Sequence, residues 1–211
     1  IERTFNLSVT TNAESIKINE VHYNPPDNTV LEEFIEFYNP TDSAMDMSSW
    51  EVSGGVAYTL PLGSVVPAHG FLVVAQDPAT VLSRYGVPAL GPWTGGLSSD
   101  GETITLRDSN GKKVAGVNYD SEFPWPIAAD GEGASMALVN PAVDNDLGSS
   151  WRSQTPPTPG ATNSVFAVNA APNIRQVEHT PQTPTSTNQI IITAKVTDPQ
   201  GVASVLLQYQ L

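Results

Sequence analysis

Acidic side chains recur in closely spaced pairs along this chain of 211 residues, and these pairs are the first candidates for chemistry. Four pairs lie in predicted loops with one residue between their members: Asp100/Glu102, Asp120/Glu122, Asp130/Glu132 and Asp144/Asp146. Loops bind Ca²⁺ through about six to eight carboxylate and carbonyl oxygens. The last two pairs are therefore the predicted calcium ligands. The competing interpretation is that loop carboxylates form turns and stay hydrated.

Two tryptophans lie in loops rich in glycine and proline, Trp93 within Gly91–Gly96 and Trp125 within Phe123–Pro126. An aromatic ring held rigid by prolines can stack on a sugar or on a proline-rich peptide. Both are candidate ligand-binding residues, and the alternative is that each fills one end of the fold. Trp50 follows a polar loop and opens a strand, which predicts a place in the core.

Other catalytic and metal-binding patterns are missing from the sequence. The chain has no cysteine, which excludes disulfides, thiolate metal sites and a cysteine nucleophile. His22, His69 and His179 lie far apart, and none has a second histidine at zinc-binding spacing. Ser135 lacks the second glycine and the helix of a nucleophile elbow. We therefore predict no enzyme and no cofactor apart from calcium. A hydrolase with two carboxylates is harder to exclude, because distances in space cannot be read from a sequence.

The charge of the chain excludes two classes of partner. Nine Lys and Arg against 22 Asp and Glu give a formal net charge of −13. The chain therefore lacks a basic surface to bind a nucleic acid or an anionic membrane. No apolar run reaches the roughly 18 residues of a membrane-spanning helix. The apolar fraction of 39% is sufficient for a folded core.

Alternation of apolar and polar residues dominates the chain and predicts β-strands. The clearest examples are at 16–19, 33–39, 103–108 and 113–119. After residue 19 the alternation shifts by one step, which predicts a bulge near Glu20. These strands must hold in place the loops that carry the candidate residues.

Turn residues define the connections between the strands. Gly54-Gly55 and Asn110-Gly111 predict tight hairpins. One segment favours a helix, because Asp77 can cap it, Pro78 suits its first position and Gly86 can end it. Short strands with turns between them predict an all-β sandwich or barrel with one short helix.

Both ends of the chain continue the β character. Residues 4–10 alternate as a strand, and residues 163–172 have the character of a linker. Three further strands are predicted after the linker, at 173–177, 189–198 and 202–209. Three strands cannot enclose a core. We therefore expect exposed edges that another β segment completes, either in the same chain or in a strand-mediated homodimer.

An ordered set of short motifs resembles the bacterial lamin-tail domain. The set comprises Ile16–Val21, Glu33–Asn39, Trp50, Pro67–Val74, Leu97–Leu106, Tyr119, Pro124–Pro126, Asp130–Ser135, Trp151-Arg152 and Thr158–Asn163. Together the motifs span residues 14–165. The resemblance implies an immunoglobulin-like antiparallel β-sandwich without catalytic residues.

The resemblance also implies a cellular location and neighbouring domains. Such domains act as interaction or tethering modules in exported bacterial proteins of several domains. We therefore expect part of a longer, secreted or cell-surface protein, whose partners are other protein domains or a cell-surface component. Residues 1–12 resemble the last strand of a preceding module. Residues 172–211 resemble the start of an immunoglobulin-like or fibronectin-III-like module.

The predicted function is a non-catalytic interaction or spacer module. Two alternatives stay open. One is a carbohydrate-binding module that uses the loop tryptophans, and the other is a structural linker domain stiffened by calcium.

Overall fold

Strands make up most of the regular structure in residues 16–198 and 201–208, the part of the chain that this computed structural model describes. The strands are β1 (Lys17–His22), β2 (Phe34–Tyr38), β3 (Met45–Asp46), β4 (Glu51–Ser53), β5 (Val56–Thr59), β6 (Val65–Val66), β7 (Phe71–Ala75), β8 (Thr94–Gly95), β9 (Glu102–Arg107), β10 (Lys113–Tyr119), β11 (Ser135–Leu138), β12 (Trp151–Gln154), β13 (Asn173–Thr180) and β14 (Ile191–Thr197). The helix α1 is Pro78–Tyr85, and 3-10 turns lie at Ile127–Ala129 and Gly148–Ser150. The predicted strand at 4–10 lies outside the described residues.

Ten of these strands form two antiparallel sheets. The first sheet has the order β12-β11-β1-β2-β7, and the second has the order β10-β9-β4-β5-β8. The two sheets share one hydrophobic core between their facing sides, as stacked antiparallel sheets do. This arrangement confirms the predicted immunoglobulin-like antiparallel β-sandwich with one short helix.

The alternation within each strand decides which side chains enter this core. Ile35 and Phe37 of β2 enter it from the first sheet, and both are fully buried. Ile104 and Leu106 of β9 enter it from the second sheet. Trp50 belongs to the same cluster, which confirms its predicted place in the core.

The predicted bulge and hairpins are present. The pairing of β1 with β2 shifts its register between Ile18 and Glu20, which confirms the bulge. Strands β4 and β5 pair across Gly54-Gly55, and strands β9 and β10 pair across Asn110-Gly111. Local turn chemistry was therefore sufficient to predict these connections.

Helix α1 forms where the sequence predicts it. The side chain of Asp77 accepts a hydrogen bond from the N–H of Ala79, and Gly86 ends the helix with a φ of 72°. Val81 packs with Phe34 on the outer face of the first sheet, so that this sheet is covered on both sides. In the described part of the chain, no helix has the length and the apolar character that crossing a bilayer requires.

Strands β13 and β14 form a hairpin that belongs to neither sheet of the sandwich. Residues 201–208 form no strand, so the predicted third strand at 202–209 is wrong for the residues described there. A strand exists through its ladder of hydrogen bonds and an apolar face of alternate residues. Within the described part of the chain, residues 201–208 have no partner strand in any sheet.

Truncating a core side chain should destabilise the sandwich far more than truncating an exposed one. We expect Ile35→Ala to lower the free energy of unfolding by about 2–5 kcal/mol, because the lost contacts leave a cavity. The matched change Leu62→Ala, at a side chain that is 86% exposed, should alter it by no more than about 0.5 kcal/mol. Urea denaturation followed by circular dichroism measures both effects. Equal effects would contradict the placement of Ile35 between the sheets.

Candidate functional site

The outer face of the first sheet carries two buried carboxyl groups. Glu20 of β1 and Glu36 of β2 are direct neighbours across the strand pair, and neither is exposed to solvent. The bulge after Ile18 turns Glu20 to this face. Glu36 lies here because its chain neighbours Ile35 and Phe37 point into the core. Two acidic groups placed side by side repel each other when both are charged, so this arrangement needs compensation.

Residues 155–171 contact this face, and we call this segment the strap. The carboxyl group of Glu20 is held by three donors. They are the backbone N–H of Thr158 (2.9 Å), Nε2 of Gln154 (3.3 Å) and the hydroxyl of Ser135. All three bind Oε1, whereas Oε2 of Glu20 is buried without a hydrogen-bond partner.

Glu36 is held from β1 and from the strap. Nδ2 of Asn19 donates to its Oε1 at 2.8 Å, and the backbone N–H of Gly160 donates to its Oε2. Asn163 of the strap fastens Asn19 in turn, because its Nδ2 donates to the backbone oxygen of Asn19 at 3.0 Å. The motif at 158–163 is therefore the segment that closes over the two acids.

Burial changes the ionisation of this acidic pair. It raises the pKa of Glu36 to about 8. The hydrogen bond from Asn19 opposes this rise, and the charge of Glu20 adds to it. Burial also raises the pKa of Glu20. The pair therefore keeps a proton at neutral pH, which relieves the repulsion between the two groups.

The strap stays bonded to the sandwich as far as its last residue. Three hydrogen bonds fasten its second half: from Ser164 N–H to Oε1 of Gln154 (2.6 Å), from Ala167 N–H to the backbone oxygen of Val139 (2.9 Å), and from Nη2 of Arg152 to the backbone oxygen of Ala171 (2.8 Å). The predicted linker at 163–172 is thus not a free tether. It is a layer that covers the outer face of the first sheet.

Both tryptophans that were candidates for ligand binding lie mostly inside the fold. Trp93 is 6% exposed and Trp125 is 8% exposed, and both belong to the core cluster. The ring centroid of Trp125 lies 6.4 Å from that of Trp151. This geometry favours the packing interpretation for Trp93. Trp125 also lines a cleft, and its role in ligand binding stays a prediction.

The cleft beside Trp125 forms where the sandwich meets the β13–β14 hairpin, and we call it the junction cleft. It has a volume of about 390 Å³. Its lining includes Phe123, Trp125, Ile127, Glu132, Arg152 and Arg175. One predicted calcium ligand, Glu132, and one predicted stacking residue, Trp125, thus line the same cleft. The sequence did not indicate that these two residues line one cleft.

Two of the other predicted calcium ligands accept hydrogen bonds from groups of the protein. Oδ1 of Asp130 accepts a hydrogen bond from Nδ2 of Asn24 at 2.6 Å. Oδ1 of Asp144 accepts one from the N–H of Asp146 at 2.9 Å. Within residues 16–198 and 201–208, no three His, Asp or Glu side chains form a group that could hold a metal ion. The contact of Asp144 fits the turn-forming alternative, whereas that of Asp130 joins two segments far apart in the chain. Calcium binding stays a prediction.

Sequence reasoning missed the buried acids and the strap that covers them. Simple alternation places Glu36 on a solvent-exposed face, because its neighbours on the chain are apolar. The usable signal was on the same face of β2, where Phe34 and Tyr38 flank Glu36. A strand that is apolar on both faces is covered on both faces.

Comparison with models of known protein families identifies a match for this chain. The family model of the lamin tail domain matches residues 10–121 of this chain. No curated protein matches it. Strands β11 and β12 lie beyond the matched residues. Because β11 pairs with β1, and β12 with β11, these later strands complete the sheet that the matched segment begins.

Stability should fall as the pH rises toward the pKa of Glu36. The folded protein keeps a proton on this group up to about pH 8, whereas the unfolded chain loses it near the ordinary value of 4.5. Unfolding therefore releases a proton between these values, and the free energy of unfolding declines by up to about 1.4 kcal/mol per pH unit. Burial lowers the pKa of His22 to about 4, which has the opposite effect below its ordinary value of 6.5. Urea denaturation is therefore compared from pH 6.5 upward.

The substitution Glu36→Gln keeps the shape of the side chain and removes the titrating group. In this variant the free energy of unfolding should decline much less as the pH rises. Above pH 8 the variant should be more stable than the parent. The control Glu51→Gln changes an exposed residue of β4 and should keep the slope of the parent. If the free energy of unfolding of Glu36→Gln changed with pH in parallel with that of the parent, this would contradict the conclusion that the acidic pair keeps a proton at neutral pH.

Proposed function

Because the chain belongs to the lamin tail domain family, we propose that it serves as a non-catalytic interaction and spacer module of a larger exported protein. The family is one of immunoglobulin-like modules without enzymatic activity, which supports the non-catalytic part of the proposal. Its partners are other protein domains or a component of the cell surface. The exported location rests on the likeness of the motifs to bacterial lamin-tail domains.

The observation that carries the proposal is the bonded strap. The segment between the sandwich and the hairpin is hydrogen-bonded up to Ala171, and β13 begins at Asn173. A flexible linker would let the two units reorient freely. A strap that is hydrogen-bonded to the sandwich along its length instead fixes where the hairpin begins relative to the sandwich. This is the property that a spacer needs.

The burial of Glu20 and Glu36 supports a non-catalytic role. A hydrolase that uses two carboxylates needs both groups open to the substrate. Glu20 and Glu36 are adjacent, but both are fully buried and bound by the strap. They serve to hold the fold together.

A distance measurement across the strap tests the spacer role. Because the chain has no cysteine, spin labels can be attached at Ser109→Cys and Ser186→Cys, both exposed sites. We expect a narrow distribution of distances between the two labels in the otherwise unchanged protein. Asn163→Ala removes hydrogen bonds of the strap and should broaden this distribution.

The control for this measurement is Asn28→Ala, a change at an exposed asparagine far along the chain from the strap. It should leave the distribution narrow. Circular dichroism verifies that each labelled variant is folded at the temperature used. A broad distribution before any change in the strap would argue against a spacer.

The hairpin offers the surface for interaction. Five of its large apolar side chains are exposed: Ile174, Val177, Ile190, Ile191 and Ile192. Residues 173–211 contain two basic and two acidic side chains, so the whole net charge of −13 lies in the preceding residues. An apolar and neutral hairpin on an acidic protein is suited to strand pairing with another β segment. A second copy of the chain is one partner that can supply such a segment.

Self-association should depend on the apolar side chains of the hairpin. We expect the average mass in sedimentation equilibrium to rise with concentration, and Val177→Lys to suppress this rise. The control Thr183→Lys adds the same charge at an exposed position between the two strands and should leave association unchanged. A monomer at every concentration, or equal effects of the two variants, would exclude the homodimer.

A further inference from the structure

The junction cleft combines apolar walls with polar groups of both signs. Phe123, Trp125 and Ile127 form its apolar lining, and Glu132, Arg152 and Arg175 lie around the same space. A cleft of several hundred Å³ with a few convergent polar groups is the usual form of a small-ligand site. Neither the lamin tail domain match nor the spacer role assigns a ligand to it.

Positive charge is concentrated at this cleft. The chain has nine basic residues in all, and three of them, Arg152, Arg175 and Lys195, lie here. Nζ of Lys195 lies 5.1 Å from the ring centroid of Phe123, which itself lines the cleft. Two acidic groups are also close, Glu132 of the lining and Asp198, whose charge acts on Arg152. The basic groups outnumber them, so an anionic group can bind here.

The two arginines have different tasks. Arg152 donates to three backbone oxygens, those of Ser149, Trp151 and Ala171, and so holds the floor of the cleft and the end of the strap. Arg175 is exposed, and one of its nitrogens donates to the backbone oxygen of Ile174. Its guanidinium is therefore the group that can bind a carboxylate with two parallel hydrogen bonds.

The remaining lining selects the kind of anion. Aromatic and aliphatic walls fit the apolar face of a sugar ring. The carboxylate of Glu132 can accept hydrogen bonds from sugar hydroxyls, whereas it repels a strand of acidic side chains. We propose that the junction cleft binds a single carboxylate-bearing sugar residue of an acidic polysaccharide, with its carboxylate on Arg175 and its ring against Phe123 and the exposed Ile127. This proposal is independent of the spacer role.

Calorimetric titration with two matched probes tests the proposal. The probes are a trimer of galacturonic acid and its methyl ester, which has the same rings without the charge. We expect the acid to bind at least about tenfold more tightly than the ester, because the ester loses a charge-assisted pair. Arg175→Gln should weaken binding of the acid by a similar factor and leave binding of the ester unchanged.

The control variant is Arg107→Gln, which removes a positive charge from the exposed end of β9. It should bind the acid as the parent does. Equal affinity for acid and ester, equal effects of the two arginine variants, or no binding of either probe would overturn the proposal. So would equally tight binding of an oligoglutamate peptide, because that result would indicate general attraction of anions.

Discussion

Two carboxyl groups buried side by side constrain the rest of this protein. A buried charged group without partners costs several kcal/mol, whereas one hydrogen bond contributes about 1 kcal/mol. Glu20 and Glu36 can therefore occupy the covered face of the first sheet only if donors are brought to them and a proton is retained. Thr158 and Gly160 of the strap bring backbone donors to one acid each. The acids and the strap thus stabilise each other, and neither arrangement is favourable alone.

The elements that depend on local chemistry could be predicted from the sequence. The bulge before Glu20 follows from a shift in the alternation of apolar residues. The turn at Asn110-Gly111 and the helix between Asp77 and Gly86 follow from residue types that favour a turn, a helix cap or a helix end. The outward-facing acids could not be predicted in this way. Their burial depends on a segment more than a hundred residues later in the chain, which has the composition of a polar and proline-rich linker. The third strand predicted after β14 was wrong, because a strand needs a partner that local sequence does not specify.

The residues of the candidate site also differ in whether the sequence could identify them. Trp125 and Glu132 were each singled out from the sequence for a different role, and the fold places both on the junction cleft. Arg175 was not singled out, since a lone arginine in a strand carries no pattern. The junction cleft lies where residues 123–128 and β12 meet the start of β13. The strap leads directly into β13, so the same bonded segment that suits a spacer also holds Arg175 beside the site that we infer for an acidic sugar.

Hydrogen exchange at the backbone amides of Thr158 and Gly160 would examine the link between the acids and the strap. The measurement is made by NMR on the intact chain, with the amide of Ser186 in the exposed connection of the hairpin as the reference. If the two carboxyl groups hold the strap, both amides exchange far more slowly than Ser186 and are protected together with the amides of β1 and β2. Exchange of Thr158 and Gly160 at the rate of Ser186 would contradict a strap held in place by buried acids.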